Sequence, residues 1–339
     1  MFKKILLSIL CALLGGVFIF SAIAKLYPIE PFEYTFVDLG IGNWQFAPFI
    51  ARLIIAVEFL IGLLLVLNIQ LRRITCKLGI TAILIFCVYL LLQLIISGNK
   101  GNCGCFGTTL YMTPSEALLK NISLLFVFVG LYKFHNGWDF GRASSYIFAA
   151  TVLVSFGLPF ILNPVQLDYS EAYLSKSENR YTLRLDTLFN NALLSKPPKE
   201  LSKGKKIIAF MSLTCPHCKI AAQKIHVMNK RNSAIPFYFV LNGKEEDLKR
   251  FFDDTKTGNI NYCLLKGSHF VYLAGINLPS IYLINNSVVE NQVNYITLDE
   301  KEIEKWLGEG SIDKRLNCVT EKKFVSGIKR GKMSPRAKL

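Results

Sequence analysis

Five stretches of this chain, roughly 5–24, 49–69, 78–96, 117–134 and 144–162, are almost purely apolar. Each is about as long as a helix needs to cross the hydrocarbon of a bilayer, about 20 residues. A backbone in lipid must satisfy its own hydrogen bonds, so runs of this kind are confined to helices. Residues 1–164 are therefore expected to form an all-α membrane domain of about five helices. The remainder alternates charged and apolar residues as soluble sequence does. The contrast explains a composition that is 52% hydrophobic and only 19% charged over 339 residues.

Sidedness follows from where Lys and Arg collect in short connections. Lys3 and Lys4, then Arg72, Arg73 and Lys77, then Lys133 and Arg142 all fall on one side of five spans. That side is expected to be the cytoplasm of a bacterial cell, with the chain in the inner membrane. The first run has no good cleavage site after it, and bulky Leu10 precedes Cys11 where a lipoprotein would want a small residue. It reads as a retained span. Loops 25–48 and 97–116, and everything after Pro164, then face the periplasmic side. Cys103, Cys105, Cys215 and Cys218 come to share one compartment, where disulfides can persist. The formal charge of +15 belongs partly to the span ends and partly to a basic tail, 319–339. No basic motif with interleaved aromatics occurs, which excludes nucleic acid as a partner; the expected partners are the bilayer and cysteine-containing client proteins outside the cytoplasm.

Residues 165–199 read as a tether closed by Pro197-Pro198, and 200–318 as an α/β domain. Lys206–Ser212 has strand character, Cys215-Pro216-His217-Cys218 follows, and Lys219–Met228 continues as a helix. Pro236–Leu241 is the next strand and 244–254 an amphipathic helix. Ser280–Ile284 pairs with a partner near Val288-Val289, and a helix around Trp306 closes the domain. A C-x-x-C pair between strand and helix puts Cys215 at a helix N-terminus, where backbone N–H groups favour the thiolate. His217 can add a charge or hydrogen bond. Cys218 lies behind as the resolving thiol. Half a zinc site is the competing reading, but no second C-x-x-C or His pair supplies the other ligands.

From about 200 to 310 the sequence resembles a thioredoxin-fold domain. Cys-Pro-His-Cys is the form seen in DsbA-type oxidants, while the modest size of the domain is similar to TlpA-like proteins. The resemblance implies that Leu278-Pro279-Ser280 holds the family's cis-proline, facing the dithiol. Helical or loop insertion is expected between Cys218 and Pro279.

In the first half, Cys103-Gly104-Cys105 can close only a small, strained ring, and strain makes a disulfide easier to reduce. One labile disulfide, separate partners, and weak metal binding are the open readings of such a pair. Lys25-Leu26, Ala51, Glu58, Gly62, Cys103–Gly107 and Asn121 together resemble the MauE branch of DoxX-like membrane proteins, over about 5–135. That resemblance implies a part in disulfide formation or electron supply to extracytoplasmic proteins, in a family associated with methylamine utilisation. Glu58 lies about nine residues, roughly 14 Å, into its span. A carboxyl there is costly; it either relays protons or contacts a quinone, or it is a helix-packing carboxyl that stays protonated or pairs with a neighbouring span. Arg52 is a second candidate for such a site. Arg52 and Lys25, near span ends, are expected mainly to snorkel, though both could lower thiol pKa values nearby.

The expected function is a membrane-bound thiol–disulfide oxidoreductase in which Cys215/Cys218 exchange with Cys103/Cys105, with no covalently bound cofactor, no metal, and a quinone as candidate acceptor. The competing readings are a non-enzymatic maturation factor and an envelope metallochaperone, both using the thioredoxin fold to bind a client. Cys11, Cys76 and Cys87 read as small apolar residues, Cys263 and Cys318 as a candidate disulfide, and His135, His226 and His269 have no partner that the sequence identifies.

Overall fold

The computed structural model describes residues 2–99, 101–138, 141–174 and 180–309. The tail 319–339 and Cys318 lie outside the described residues. The five apolar runs are helices long and apolar enough to cross a membrane: α1 (Phe2–Leu26), α3 (Ala47–Leu67), α4 (Cys76–Ser97, entered through a π-helical turn at Leu71–Thr75), α5 (Pro114–Phe134) and α6 (Arg142–Leu162). Their outward positions stay apolar, as at Leu84, Ile85, Val88 and Ile95, which suits a lipid solvent and would be an aggregation liability in water.

Small residues set the helix packing. α1 lies along α3 so closely that a Cβ on Gly62 would sit 2.7 Å from Ile19 and 3.0 Å from the Gly15 carbonyl. α6 packs on α3 as well, while α4 and α5 form a second pair. α5 starts at a capping box, in which the Thr113 N–H donates to the Glu116 carboxylate at 2.8 Å. The connection from α1 to α3, read from sequence as a loop, contains a further helix, α2 (Glu30–Asp38), packed on α3.

After α6 comes the short α7 (Ser170–Leu174), then α8 (Leu185–Asn191). The sheet is mixed and five-stranded, in the order β3-β2-β1-β4-β5. β1 (Lys205–Ser212) runs parallel to β2 (Phe237–Asn242), β2 parallel to β3 (Tyr262–Leu264), and β1 antiparallel to β4 (Ser280–Asn285), which pairs with β5 (Val288–Val293). Helices α9 (Pro216–Arg231), α10 (Glu246–Thr255) and α11 (Ser268–Ala274) connect the strands. This is the expected strand–helix order of a thioredoxin-like domain. β1 is buried from Ile207 to Met211, on both faces, as a central strand must be. The β4–β5 turn falls on Asn286-Ser287, both at positive φ, as a tight hairpin requires.

Two departures from the sequence reading concern this half. The segment read as a tether is partly built into the domain: Thr182 bridges to Val288, Leu194 bridges to Leu264, and Leu183, Leu185 and Leu188 pack with Phe210 and Tyr282 in one core. The region between Cys218 and Pro279 holds a third parallel strand, β3, and the helix α11, which fill the expected insertion. Residues 299–309 belong to a separate unit containing α12 (Glu300–Gly308), whose N-cap Asp299 accepts from Glu302 N–H at 3.0 Å.

Gly62→Val should overpack the α1–α3 contact and cost about 1–3 kcal/mol. Thermal unfolding of the detergent-solubilised chain should show a lower midpoint, whereas Gly16→Ala, where no atom lies within 4 Å of the new Cβ, should leave it unchanged or slightly higher.

Candidate active site

β1 ends at Ser212, and Cys215 is the N-cap of α9. Its extended backbone (φ −75°, ψ 122°) turns the sulfur back over the first turn, where Sγ accepts the Cys218 N–H at 3.3 Å. Pro216 occupies the first helical position, where a missing N–H costs nothing. Cys218 is fully buried and its Sγ accepts the Ser212 N–H at 3.4 Å. Burial pushes the Cys218 thiol well up, and its hydrogen bond to Cys215 adds to this. Cys215 is half-buried. The His217 ring stacks on Tyr295, centroids 5.0 Å apart and planes 22° apart. The Leu278–Pro279 bond is cis, and the pairing of Ser280 with Phe210 sets Pro279 beside the end of β1 from which the dithiol departs.

The second pair sits in a tight loop before α5. Cys103 N–H donates to Met112 O at 2.8 Å, and Asn102 closes the turn with bonds to Gly107 O (2.9 Å) and Gly104 N–H (3.2 Å). Gly104, at φ 73°, makes the reversal between the cysteines. Gly107 presses against the Ala24 carbonyl at the end of α1, leaving no room for a side chain. The two thiols are unequal. A hydrogen bond from Cys103 holds the Cys105 thiol down at about 7; burial opposes this, while Lys120 and Lys25 assist it. The same bond, with burial, pushes Cys103 well up.

Beneath this loop lies a buried ion pair. Lys25 Nζ meets Glu58 Oε2 at 2.9 Å and donates also to Ser21 Oγ at 2.6 Å and to the Cys105 carbonyl. Lys25 does not snorkel: it is 1% exposed. The cost of burying its charge is met by Glu58, the neighbouring-span partner that the sequence left unnamed. Arg52 is brought elsewhere. It donates to Glu33 (2.6 Å), Pro48 O (2.8 Å) and Asn163 O (2.7 Å), tying the start of α3 to α2 and to the end of α6.

The helix that carries the dithiol is also the one that seats the sheet domain. Ile220 and Val227 of α9 pack with Phe32, Phe36 and Val37 of α2. Asp38, at the end of α2, takes Lys230 at 2.6 Å, Lys256 at 3.2 Å and His226 at 3.7 Å. Burial works to raise the Asp38 carboxyl, but those cations outweigh it and hold it below the usual carboxylate range. Lys224 is buried over the rings of Tyr34, Trp44 and Tyr169. The cysteine loop touches the neighbouring α10: Gly101 abuts the Asp253 carbonyl, and the Arg250 guanidinium lies 6.0 Å from the Tyr111 ring centroid.

Residues 3–134 match the family described as methylamine utilisation protein MauE. The MauE match covers the residues on which the resemblance was drawn, and both Lys25–Glu58 and Cys103/Cys105 fall inside it. A curated relative, Protein TlpB of Flavobacterium psychrophilum, is 28% identical over 290 residues, spanning 72% of this chain and 78% of its own. It therefore reaches well beyond the MauE region into the sheet domain. Among solved structures, the thioredoxin domain of a thiol-disulfide oxidoreductase from Bacteroides vulgatus is 16% identical, covering 34% of this chain and 89% of that one, with a TM-score of 0.29. A secreted Mycobacterium tuberculosis disulfide oxidoreductase homologous to E. coli DsbE is 19% identical, covering 36% and 96%, with a TM-score of 0.29.

The other cysteines are placed apart from this chemistry or beside it. Cys11 and Cys76 are buried in one apolar cluster with Leu14 and Phe128. Cys263 is fully buried in β3, with its thiol pushed up to about 12 by burial. Among the described residues no group of His, Cys, Asp and Glu could hold a metal ion. Sequence reasoning missed Ser21, Lys120 and Asp38. The one usable signal was a pair of unlike charges, Lys25 and Glu58, in two adjacent apolar runs.

Removing one partner of the buried pair, as in Lys25→Met or Glu58→Leu, should destabilise the chain by about 3–5 kcal/mol, while Lys25→Met/Glu58→Leu together should cost less than the sum. Thermal unfolding of the three variants provides the comparison. Separately, the alkylation rate of Cys105 by iodoacetamide should rise through a midpoint near pH 7. In Cys103→Ala, which deletes the hydrogen bond to the Cys105 thiolate, that midpoint should move up; an unmoved midpoint would discount the bond.

Proposed function

We propose that this chain is a membrane-bound thiol–disulfide oxidoreductase that acts on cysteine-containing proteins outside the cytoplasm. In this reading Cys215 exchanges with clients and Cys218 resolves the mixed disulfide, while Cys103/Cys105 exchange electrons with that pair. The supporting observation is the Cys215 geometry: a half-buried sulfur at a helix N-cap, accepting a backbone N–H, with a buried thiol one turn behind. That arrangement leaves one sulfur open to a client and sets a second behind it to resolve the mixed disulfide. His217 and Pro279 flank it as the residues expected to tune the thiolate and receive the client backbone.

Two further observations support the link to the membrane half. The end of α6 meets the end of α1, where Asn163 Nδ2 donates to Leu26 O at 3.3 Å. The chain therefore leaves the helices at the same end as the cysteine loop. The opposite end carries Lys3, Lys4, Arg72, Arg73 and Lys133, and by the positive-inside rule that end is cytoplasmic. The sheet domain also rests on α2 and touches the cysteine loop through α10, which keeps both dithiols on one side. Exchange is balanced within the chain: one dithiol becomes a disulfide as the other disulfide becomes a dithiol, with two electrons and two protons passed between them.

Acid-quenching of growing cells followed by mass-tag alkylation reads the Cys215/Cys218 redox state. If the outer pair supplies oxidising equivalents, the Cys215/Cys218 pair should be mostly oxidised in the wild type and reduced in Cys103→Ser and Cys105→Ser. The reverse pattern identifies a reductase. A state independent of Cys103 and Cys105 refutes the coupling.

A further inference from the structure

His217 stands exposed in the first turn of α9, two residues past Cys215. Among the described residues it takes part in no hydrogen bond or ion pair, and the contact that orients its ring is the stack on Tyr295. An exposed side chain ordinarily samples several rotamers. A nearly parallel ring, 5.0 Å away between centroids, favours one of them. What holds Tyr295 therefore also decides where the imidazole beside the dithiol is kept.

Tyr295 lies in the turn after β5. The Asn294 side chain closes that turn, accepting the Ile296 N–H at 2.9 Å and the Thr297 N–H at 3.0 Å. Lys224 Nζ, on α9, donates to the Ile296 carbonyl at 3.3 Å and to the Tyr295 carbonyl at 3.5 Å. Lys224 in turn lies 5.7 Å from the Tyr34 ring centroid and 5.9 Å from that of Trp44, two rings that meet edge to face. The Tyr295 side chain packs against the apolar cluster that joins Ile220 and Val227 of α9 to Phe32 and Phe36 of α2. One side chain thus touches both the seat of the sheet domain and the ring beside Cys215.

We propose that Tyr295 is the positioning residue of His217, and that through it the seating of the sheet domain on α2 sets the redox balance of Cys215/Cys218. The proposal rests on the reading of these two cysteines as the exchanging dithiol. The reacting form of a thiol is its thiolate, and an imidazole held nearby lends it an N–H or a positive charge. Whatever stabilises the thiolate stabilises the reduced pair and makes the disulfide the stronger oxidant. A ring held in one place gives that support continuously, whereas a free ring gives it only for the fraction of time spent there. The Cys215–Cys218 disulfide is then a stronger oxidant with the domain seated on α2 than with the seat loosened.

The test uses the full-length chain in detergent, carrying Cys103→Ser and Cys105→Ser so that the loop pair takes no part, equilibrated without oxygen in glutathione buffers. In reduction the Cys215–Cys218 S–S bond breaks, and two glutathione thiols supply two electrons and two protons as they join in one glutathione disulfide. Alkylation and peptide mass spectrometry give the oxidised fraction of the pair. Tyr295→Leu, which removes the stack, should lower the equilibrium constant for reduction about two- to fivefold, the worth of one exposed ring contact. Tyr295→Phe keeps the ring and should keep the constant. In a His217→Ala background Tyr295→Leu should change nothing further, as a residue acting through the imidazole requires. Lys224→Met should shift the constant in the same direction and add nothing to Tyr295→Leu. Equal size-exclusion profiles guard against misfolding. An unchanged constant in Tyr295→Leu overturns the positioning role, as does an effect that persists undiminished without His217. An unchanged constant in Lys224→Met overturns the link to α2. In either case a pair that still equilibrates with glutathione leaves the oxidoreductase reading standing. A pair that fails to equilibrate in any variant, with Tyr295, His217 and Lys224 intact or replaced, refutes that reading and the proposal with it.

Discussion

A lysine and a glutamate buried against each other fix where the cysteine loop of the membrane half sits. Neither charge is tolerable alone in an apolar surround, so Lys25 on α1 and Glu58 on α3 hold their helices in one register. Once they meet, Lys25 still has N–H groups to place, and one of them captures the Cys105 carbonyl. The cysteine loop is thereby drawn down onto the end of α1, and Gly107 gives it the room to arrive. The position of two thiols thus follows from the desolvation of one ion pair.

Both thiol pairs are asymmetric, by different means. In the sheet domain burial does the sorting: Cys218 is enclosed beneath the strand end while Cys215 is left at the helix start. In the loop both sulfurs are buried, and a hydrogen bond between them, with Lys120 and Lys25 nearby, decides which one ionises. A dithiol in which one sulfur attacks and the other resolves needs such inequality.

The spans were legible because about 20 apolar residues in lipid leave the backbone a single solution. Cys215 and Cys218 were legible because C-x-x-C between a strand and a helix has few uses, and the MauE-like residues were legible at their cysteine run. Contacts across sequence distance were not. Lys25 and Glu58 are 33 positions apart, and nothing in either helix announces the other, so Lys25 read as a snorkelling residue. Arg52 sits only about two turns from Glu58 on the same helix, yet it faces Glu33 and Asn163. α2 went unread because nine residues that include Pro31 and two glutamates carry too little periodicity. The same is true of α8, α11 and the three-residue β3, whose places are set by the sheet they cover or extend.

Because α9 both bears Cys215 and rests on α2, the sheet domain cannot wander far from the loop it is proposed to serve. A domain kept on a short leash meets its partner at an effective concentration of order millimolar, whatever the number of copies in the membrane. Traffic between the two dithiols would then be a first-order event, insensitive to expression level. The slow, concentration-dependent step would fall entirely on the arrival of the client.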